Sequence, residues 1–436
     1  MSTNPSGWRS PRVPPWRPSG APEGRQGFPE GGPARAESPA GGPAGVVYRS
    51  RNARKWSRKR PLWVRATLTF GVILLVLSAV TVVGGTYLLG RASRGLHLVS
   101  LLGDAAARDE HRHASIAGPI NVLLLGLDER PGGNTDGVRA DSIIIVHIPA
   151  GHAKAYLVSV PRDALVDIPA DPKTGYPGGR NKVNAAFQYG SQNGGGRAGG
   201  FELLARTVKR FTGISFNGGA IANFAGFESL VKALGGVDMC VDETVTSVHI
   251  GRDAEGAFRT PYDITDSGPV PVAGVTPQVY PVGCQHMAPW QALDYVRQRE
   301  LIPDGDYGRQ RHQQQFLQAV LKQATRSGLI YNPVKLNAVL RATGPALTFD
   351  PGGVSVAEWL FTLKGLRSDR TVLVRTNGGA FHTREVDGQS TEVLSDESLD
   401  LFDQVRRDKV GAFLAAHPDW VATGARGDGR RSQATS

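Results

Sequence analysis

The sequence predicts an α/β sandwich, with helices on both faces of a central sheet, held behind a single membrane span. Three observations carry this expectation. Short β-rich apolar runs bounded by turn residues, INVLLLGL (120–127), SIIIVHI (142–148) and KAYLVSV (154–160), have the pattern of buried strands in one sheet. Stretches of helical periodicity follow and are interleaved with further strand-like runs, the order expected of an α/β domain. Ahead of them all stands an apolar stretch, Ala66 to Leu89, with no charged residue in it.

The 436 residues are about two-fifths apolar, enough for one large core with appendages. Of the formal charge of +11, residues 1–65 supply 13 Lys/Arg against 3 Asp/Glu, a net of +10, so the body is nearly neutral. The basic balance therefore belongs to an arm and excludes a nucleic-acid-binding body. That arm, residues 1–63, is expected to be disordered and cytoplasmic: its Pro, Gly, Ser and Arg cannot bury enough surface to offset the entropy of ordering. It ends in Arg51, Arg54, Lys55, Arg58, Lys59 and Arg60. The span follows over 64–91, and its apolar residues reach about 36 Å as a helix, enough to cross a hydrocarbon core. Only Arg91 and Arg94 stand just beyond it, so the body is expected to be extracytoplasmic on a single-pass cell-membrane anchor. A cleaved signal peptide would be shorter and nearer the start.

Residues 92–118 are expected to form a polar stalk, and the folded domain is expected over 119–422, beginning near Ile120. After the three strands come helices at 201–211 and 224–234, each closed by glycine, and a strand at 237–241. Residues 242–283 show no periodicity and read as a long surface excursion. Helices resume at 289–299, 309–324, 332–342 and 356–366, with a strand at 371–376 and a last helix near 398–415. The tail, 423–436, reads as disordered. Cys240 and Cys284 both fall in the exported part, where an oxidising compartment lets them pair; two reduced buried thiols are the alternative left open.

Four segments place charged residues where strands end or helices turn, the usual ligand position of α/β folds. GLDER offers Asp128 and Arg130; VRADS offers Arg139 and Asp141; VPRD offers Arg162 and Asp163. The fourth, YVRQRELIPDGDYGRQRHQQQF, offers Arg297, Arg299, Asp306, Arg309, Arg311, His312 and Gln313. Singly, each has a plainer reading as a cap, a local ion pair or a solvated charge. Together they suit the gripping of a pyrophosphate by planar bidentate arginines while carboxylates hold a divalent metal. No P-loop, H-E-x-x-H, paired C-x-x-C or G-x-S-x-G is present, which argues against a nucleotide P-loop site, a zinc site and a serine hydrolase. His147, His152 and His286 are scattered.

These segments, with NKVNAAF, GFESLVKALGGVDM and WQALDYVRQR, occur from about residue 119 to 325 in an order that resembles the LytR-CpsA-Psr family. The resemblance implies an α-β-α sandwich with a central mixed sheet. It also implies transfer of a glycopolymer from a polyprenyl-pyrophosphate carrier to peptidoglycan, releasing polyprenyl phosphate. On matching positions Asp128 and Asp141 would coordinate Mg²⁺ (or Mn²⁺). Arg139, Arg162, Arg297, Arg299 and Gln313 would hold the pyrophosphate, with Arg130, Lys182, Asp306 and Arg309 supporting that face. Asp163 is the candidate base for the acceptor hydroxyl on position alone, and a structural pairing with an arginine is the alternative. Two positions depart from the family's pattern: Ala140 stands where Ser or Thr is common, and His312 where many members carry Arg. His312 is thus expected to give a weaker or pH-sensitive contact.

A lipid donor needs an apolar slot, and Leu203, Leu204, Val208, Phe211, Phe224, Phe227, Leu230 and Leu234 are the candidates for lining it. Two other classes remain. A wall scaffold would use the Arg/Asp cluster only to grip phosphate-rich polymer; a membrane-bound transcription regulator would need a helix-turn-helix that the arm lacks.

Overall fold

The three apolar runs form neighbouring strands of a seven-stranded mixed sheet in the computed structural model, which describes residues 97–107, 116–129, 137–329, 332–343 and 347–422. The arm, the span, the tail and Arg130 lie outside the described residues. Among those described, no helix is long and apolar enough to cross a membrane.

In chain order the elements begin with β1 (His97–Leu98), β2 (Ile120–Leu127), β3 (Ala140–Ile148), β4 (Ala155–Ser159), β5 (Leu165–Ile168) and β6 (Gly179–Lys182). There follow α1 (Ala185–Ser191), α2 (Gly196–Thr212), β7 (Gly218–Asn223), α3 (Phe224–Ala233) and β8 (Val237–Val241). Next come β9 (Val245–Arg252), β10 (Phe258–Arg259), β11 (Tyr262–Thr265), β12 (Gly268–Pro271), β13 (Thr276–Tyr280), β14 (Gly283–Met287), α4 (Pro289–Tyr295) and α5 (Gly305–Arg326). The rest comprises α6 (Pro333–Thr343), β15 (Leu347–Asp350), α7 (Val356–Leu363), β16 (Thr371–Val374), β17 (Thr383–Val386), β18 (Gln389–Glu392), α8 (Asp396–Arg406) and α9 (Val410–Ala416).

The sheet order is β1-β15-β7-β2-β3-β4-β16. Antiparallel pairing of β2 with β3 and β3 with β4 sits beside parallel pairing of β7 with β2 and β4 with β16. Alternate side chains of the central strands enter opposite layers, which is why the strands read as continuous apolar runs. Leu123, Leu125, Ile145 and Val158 meet Phe201, Leu204 and Val208 of α2 and Phe402 of α8. On the other face Ile144, Leu157 and Leu373 meet Leu317 of α5. Each fully buried Leu or Ile contributes roughly 2 kcal/mol of transfer energy.

The expected stalk is corrected. β1 pairs in parallel with β15, and Leu101 and Leu102 are each 1% exposed. Their backbone N–H groups donate to the buried Asp350 carboxylate at 2.6 and 3.0 Å, so the domain takes in the chain from His97 rather than from Ile120. The excursion lies largely at the surface over 253–279, as expected, but it is ordered into strands rather than irregular. Residues 242–283 hold β9 to β13, in which β9 pairs with both β10 and β13, and β11 with β12. Their short length and their Pro and Gly content hide the alternation. β8 and β14 pair in antiparallel register with Cys240 facing Cys284, and the two are disulfide-bonded. The last predicted helix is two, α8 and α9, broken at Asp408 with φ +57°.

Candidate active site

Antiparallel pairing dictates where the charged strand ends meet. The end of β2 lies beside the start of β3, and the end of β4 beside the same point, because Leu127 pairs with Ala140 and Ser159 with Ile144. Asp128, Asp141 and Arg162 therefore converge on one rim. A bulge sharpens this: Gly126 pairs with Ser142 and Leu127 with Ala140, leaving Asp141 as the extra residue, turned out of the ladder. The same irregularity breaks the alternation that would set Arg139 on the side of Asp141.

Across the rim a cavity of about 360 Å³ opens. Asp128, Asp141, Arg162, Arg297, Arg299, Arg309 and Gln313 all line its polar part. Arg309 and Gln313 are four residues apart on α5 and share one helix face. Arg297 and Arg299 come from the turn after α4, which is held from behind by the buried Asp294. That carboxylate accepts from Tyr280 Oη at 2.8 Å, Ser247 Oγ at 2.9 Å and Gln298 Nε2 at 2.8 Å, while burial pushes its pKa up.

Arg162 Nη1 donates to Asp141 Oδ1 at 2.6 Å, and its Nε stands 3.4 Å from Asp163 Oδ2 and 3.8 Å from Asp306 Oδ1. Burial disfavours its charge, but Asp141, Asp306 and Asp163 outweigh this and hold the guanidinium above the ordinary arginine pKa. Arg309 pairs with Asp306 and donates to the Asp141 carbonyl oxygen at 3.2 Å. Arg309 Nε, Arg162 Nε and Gln313 Oε1 are buried atoms without a hydrogen-bond partner among the described residues. Buried polar atoms left unpaired cost free energy unless a ligand satisfies them: the Arg309 donor fits an anion, whereas the Gln313 carbonyl oxygen is an acceptor and takes a donor such as a hydroxyl or water. Arg297 lies over the Phe224 ring at 4.4 Å, and Arg299 Nε donates to Glu300 Oε1 at 2.7 Å.

The apolar part is lined by Phe224, Phe227 and Leu230 of α3, with Ile144, Phe316 and Leu317. Three of the eight residues expected to line the slot, Phe224, Phe227 and Leu230, thus line this cavity. Leu203, Leu204 and Val208 are fully buried core residues, Phe211 packs edge-on against Phe402, and Leu234 belongs to another cluster. Periodicity identifies the buried face of α2, but the sheet fills the space opposite it and leaves no slot.

Other expected residues lie elsewhere. Arg139 is exposed and donates to Gln188 Oε1 at 3.0 Å. Asp163 pairs with Lys182 Nζ at 3.0 Å, and both line a neighbouring cleft together with Asp306. Ala140 is fully buried in the core, so a hydroxyl contact to a ligand is not an issue there. His312 is corrected: it is fully buried, stacks on Tyr295 at 4.3 Å, and its Nε2 stands 3.7 Å from Glu243 Oε1, beyond hydrogen-bond reach. Sequence reasoning missed His249 and Glu300, which line the cavity. Burial and the Arg297 charge hold His249 below the usual histidine pKa, so it is neutral at pH 7, with Glu300 and Asp128 opposing. Its only signal is a histidine in a Pro- and Gly-rich stretch.

The family model described as LytR_cpsA_psr matches residues 101–402. The chain belongs to the LytR-CpsA-Psr family. Among curated LytR-CpsA-Psr relatives, it is 28% identical to the polyisoprenyl-teichoic acid–peptidoglycan teichoic acid transferase TagU of Oceanobacillus iheyensis, over 80% of this chain and 95% of that one. The Bacillus cereus TagU is 30% identical over 53% of this chain, and the match spans 62% of the relative's length. LcpB of Corynebacterium glutamicum, named a probable cell wall biosynthesis protein, is 32% identical over 51% of this chain and 46% of its own. A solved structure of a Streptococcus agalactiae protein superposes with a TM-score of 0.51 at 22% identity, covering 69% of this chain and 91% of that one, which shows the shared fold.

One pH effect follows from His312, where this chain departs from the common LytR-CpsA-Psr pattern. Burial lowers its pKa in the folded state from the ordinary 6.5. The unfolded chain thus takes up the proton first, and stability held above pH 6.5 is lost as pH falls toward the lower folded value. His312→Phe is expected to flatten this acid-side loss by at most about 1.4 kcal/mol per pH unit. Urea titrations of both proteins at pH 7.5 and 5.5 check it; an unchanged slope refutes the assignment. His147, also buried and lowered, keeps a residual slope in the variant.

Proposed function

We propose that the chain moves a glycan-phosphate from a polyprenyl-pyrophosphate carrier onto a cell-wall acceptor, peptidoglycan in the simplest case. The observation that carries this is the union of an arginine-rich end and an apolar end in one cavity. A lipid pyrophosphate has that same division, a diphosphate joined to a hydrocarbon chain. The names of the relatives, teichoic acid transferases acting toward peptidoglycan, support the same chemistry.

In this reading the acceptor hydroxyl oxygen attacks the glycan-side phosphorus, and the bond from that phosphorus to the bridging oxygen breaks. The acceptor proton passes to a base, and polyprenyl phosphate leaves with the bridging oxygen. Phosphoryl transfer asks the protein mainly for alignment and charge stabilisation. Arg162 and Arg309, fixed by Asp141 and Asp306, bring oriented donors to the phosphate oxygens, with Gln313 beside them. Arg297 and Arg299 add positive charge from the opposite wall, and Phe224, Phe227 and Leu230 take the first isoprene units. His249, neutral and in the cavity, and Asp163 are the candidate bases.

The donor set fits a divalent cation. Asp128 and Asp141 are hard oxygen ligands at adjoining strand ends, and Mg²⁺ commonly takes one or two carboxylates and completes its shell with phosphate oxygens and water. Among the described residues no group of three or more His, Cys, Asp and Glu forms a closed cage, so substrate oxygens would supply the remainder. Bound there, Mg²⁺ would neutralise charge growing on the phosphate oxygens. The basic arm and the apolar stretch 66–89 would hold this domain at the outer face of the membrane, where the lipid carrier lies.

The test uses the full-length chain in detergent with a polyprenyl-pyrophosphate glycan, with and without Mg²⁺ and acceptor. Release of polyprenyl phosphate that needs the metal and rises with acceptor is the expected result. Donor binding without turnover under any of these conditions would instead identify a wall scaffold.

A further inference from the structure

A second cleft, of about 200 Å³, lies beside the first: Arg162, which lines the first and pairs there with Asp141, stands 3.4 Å from Asp163 and 3.8 Å from Asp306, both of which line the second. We infer that this cleft is a saccharide site and receives one sugar residue of the acceptor glycan.

Its chemistry is that of a sugar site rather than a phosphate site. Phe381 stands at the wall 51% exposed, edge-on to Tyr307 at 4.9 Å, and offers an aromatic face for the apolar side of a pyranose ring. Thr383 and Ser390, exposed on the β17–β18 hairpin, and buried Thr391 add hydroxyls. The charges are mutually cancelled: Lys182 is held by Asp163, and Asp306 by Arg309. Glu392, 5% exposed, accepts from Tyr307 Oη at 2.9 Å, Asn377 Nδ2 at 2.8 Å and the His382 backbone at 2.9 Å. A phosphate would find no uncompensated cation among the lining residues, whereas hydroxyls find carboxylate and amide acceptors. One acceptor is waiting. Gln310 is 6% exposed and gives its Nε2 to Asp306 at 2.9 Å, yet its Oε1 is buried at the cleft wall without a partner among the described residues. A buried carbonyl oxygen in that state is completed by a ligand donor such as a sugar hydroxyl.

The assignment to acceptor rather than donor glycan rests on the proposed transfer; saccharide binding itself does not. Calorimetric titration of the full-length chain with a β-1,4-linked N-acetylglucosamine–N-acetylmuramic acid tetrasaccharide tests the binding. Phe381→Ala should weaken it about tenfold or more, Phe381→Trp should retain it, and geranyl pyrophosphate should not displace it. No binding by the parent chain, equal binding by Phe381→Ala, or displacement by geranyl pyrophosphate overturns the inference. In the transfer assay Phe381→Ala should raise the KM for acceptor; a rise in the donor KM instead refutes the acceptor assignment. If no donor turns over, the transfer reading fails while tetrasaccharide binding still decides the nature of the cleft.

Discussion

Arg162→Ala is expected to lower the maximal rate of polyprenyl phosphate release by on the order of 10² to 10³, about 3 to 4 kcal/mol of lost transition-state stabilisation. The size follows from position. Arg162 is largely buried, lines the cavity, and is fixed by Asp141 through its Nη1, while its Nε is turned toward Asp163 and Asp306. Such a pre-positioned guanidinium needs no reorganisation as charge grows on the phosphate oxygens, and a dry site magnifies its effect. Removing it also leaves Asp141 without its 2.6 Å partner, so negative charge faces the incoming diphosphate. Arg162→Lys keeps a point charge but loses the planar fork, and should recover only part of the rate. Steady-state kinetics with donor in excess make the measurement, beside a urea melt to confirm folding. A folded Arg162→Ala protein with a rate near that of the parent would remove this residue from the chemistry, and a loss confined to donor KM would make it a ground-state contact only.

Why this rim is legible in the sequence, while much around it is not, comes down to the range of the determinants. Asp128, Asp141 and Arg162 each adjoin a short apolar run, and runs joined by brief connections pair with their neighbours, which forces the run ends together. Arg139 fails on local geometry, since a one-residue bulge is invisible in the pattern of apolar residues. β7, with the sequence GGAIAN, lacks the branched bulk that marks a strand. Its small residues are a packing requirement: a Cβ on Gly219 would lie 2.5 Å from the Phe201 ring. His249 needs knowledge of how residues 242–283 fold back over the sheet, and Leu203 and Phe227 cannot be separated into core and cavity by periodicity. Hydrophobic period reports which face of a helix is buried; whether the opposing element leaves a gap is a tertiary fact.

The largest expected loss of stability is at Arg311→Met, about 3 to 5 kcal/mol. Arg311 is 7% exposed, and its guanidinium reaches three carboxylates: Asp242 at 2.9 Å, Asp304 at 2.7 Å and Glu243. Those carboxylates overcome burial and raise the arginine pKa. Met fills much of the same volume, so the substitution tests the charge rather than the packing. What remains is three acidic groups around an apolar side chain, repelling one another and cut off from full solvation. The carboxylates come from the turn after β8 and the start of α5, so Arg311 clamps the helix that carries Arg309 and Gln313. Acid separates this explanation from simple misfit. Protonating the three carboxylates relieves their repulsion, so the deficit measured by urea unfolding should shrink between pH 7 and pH 4. A deficit of the same size at both pH values would instead indicate lost packing, and stability equal to that of the parent would show the cluster to be energetically idle.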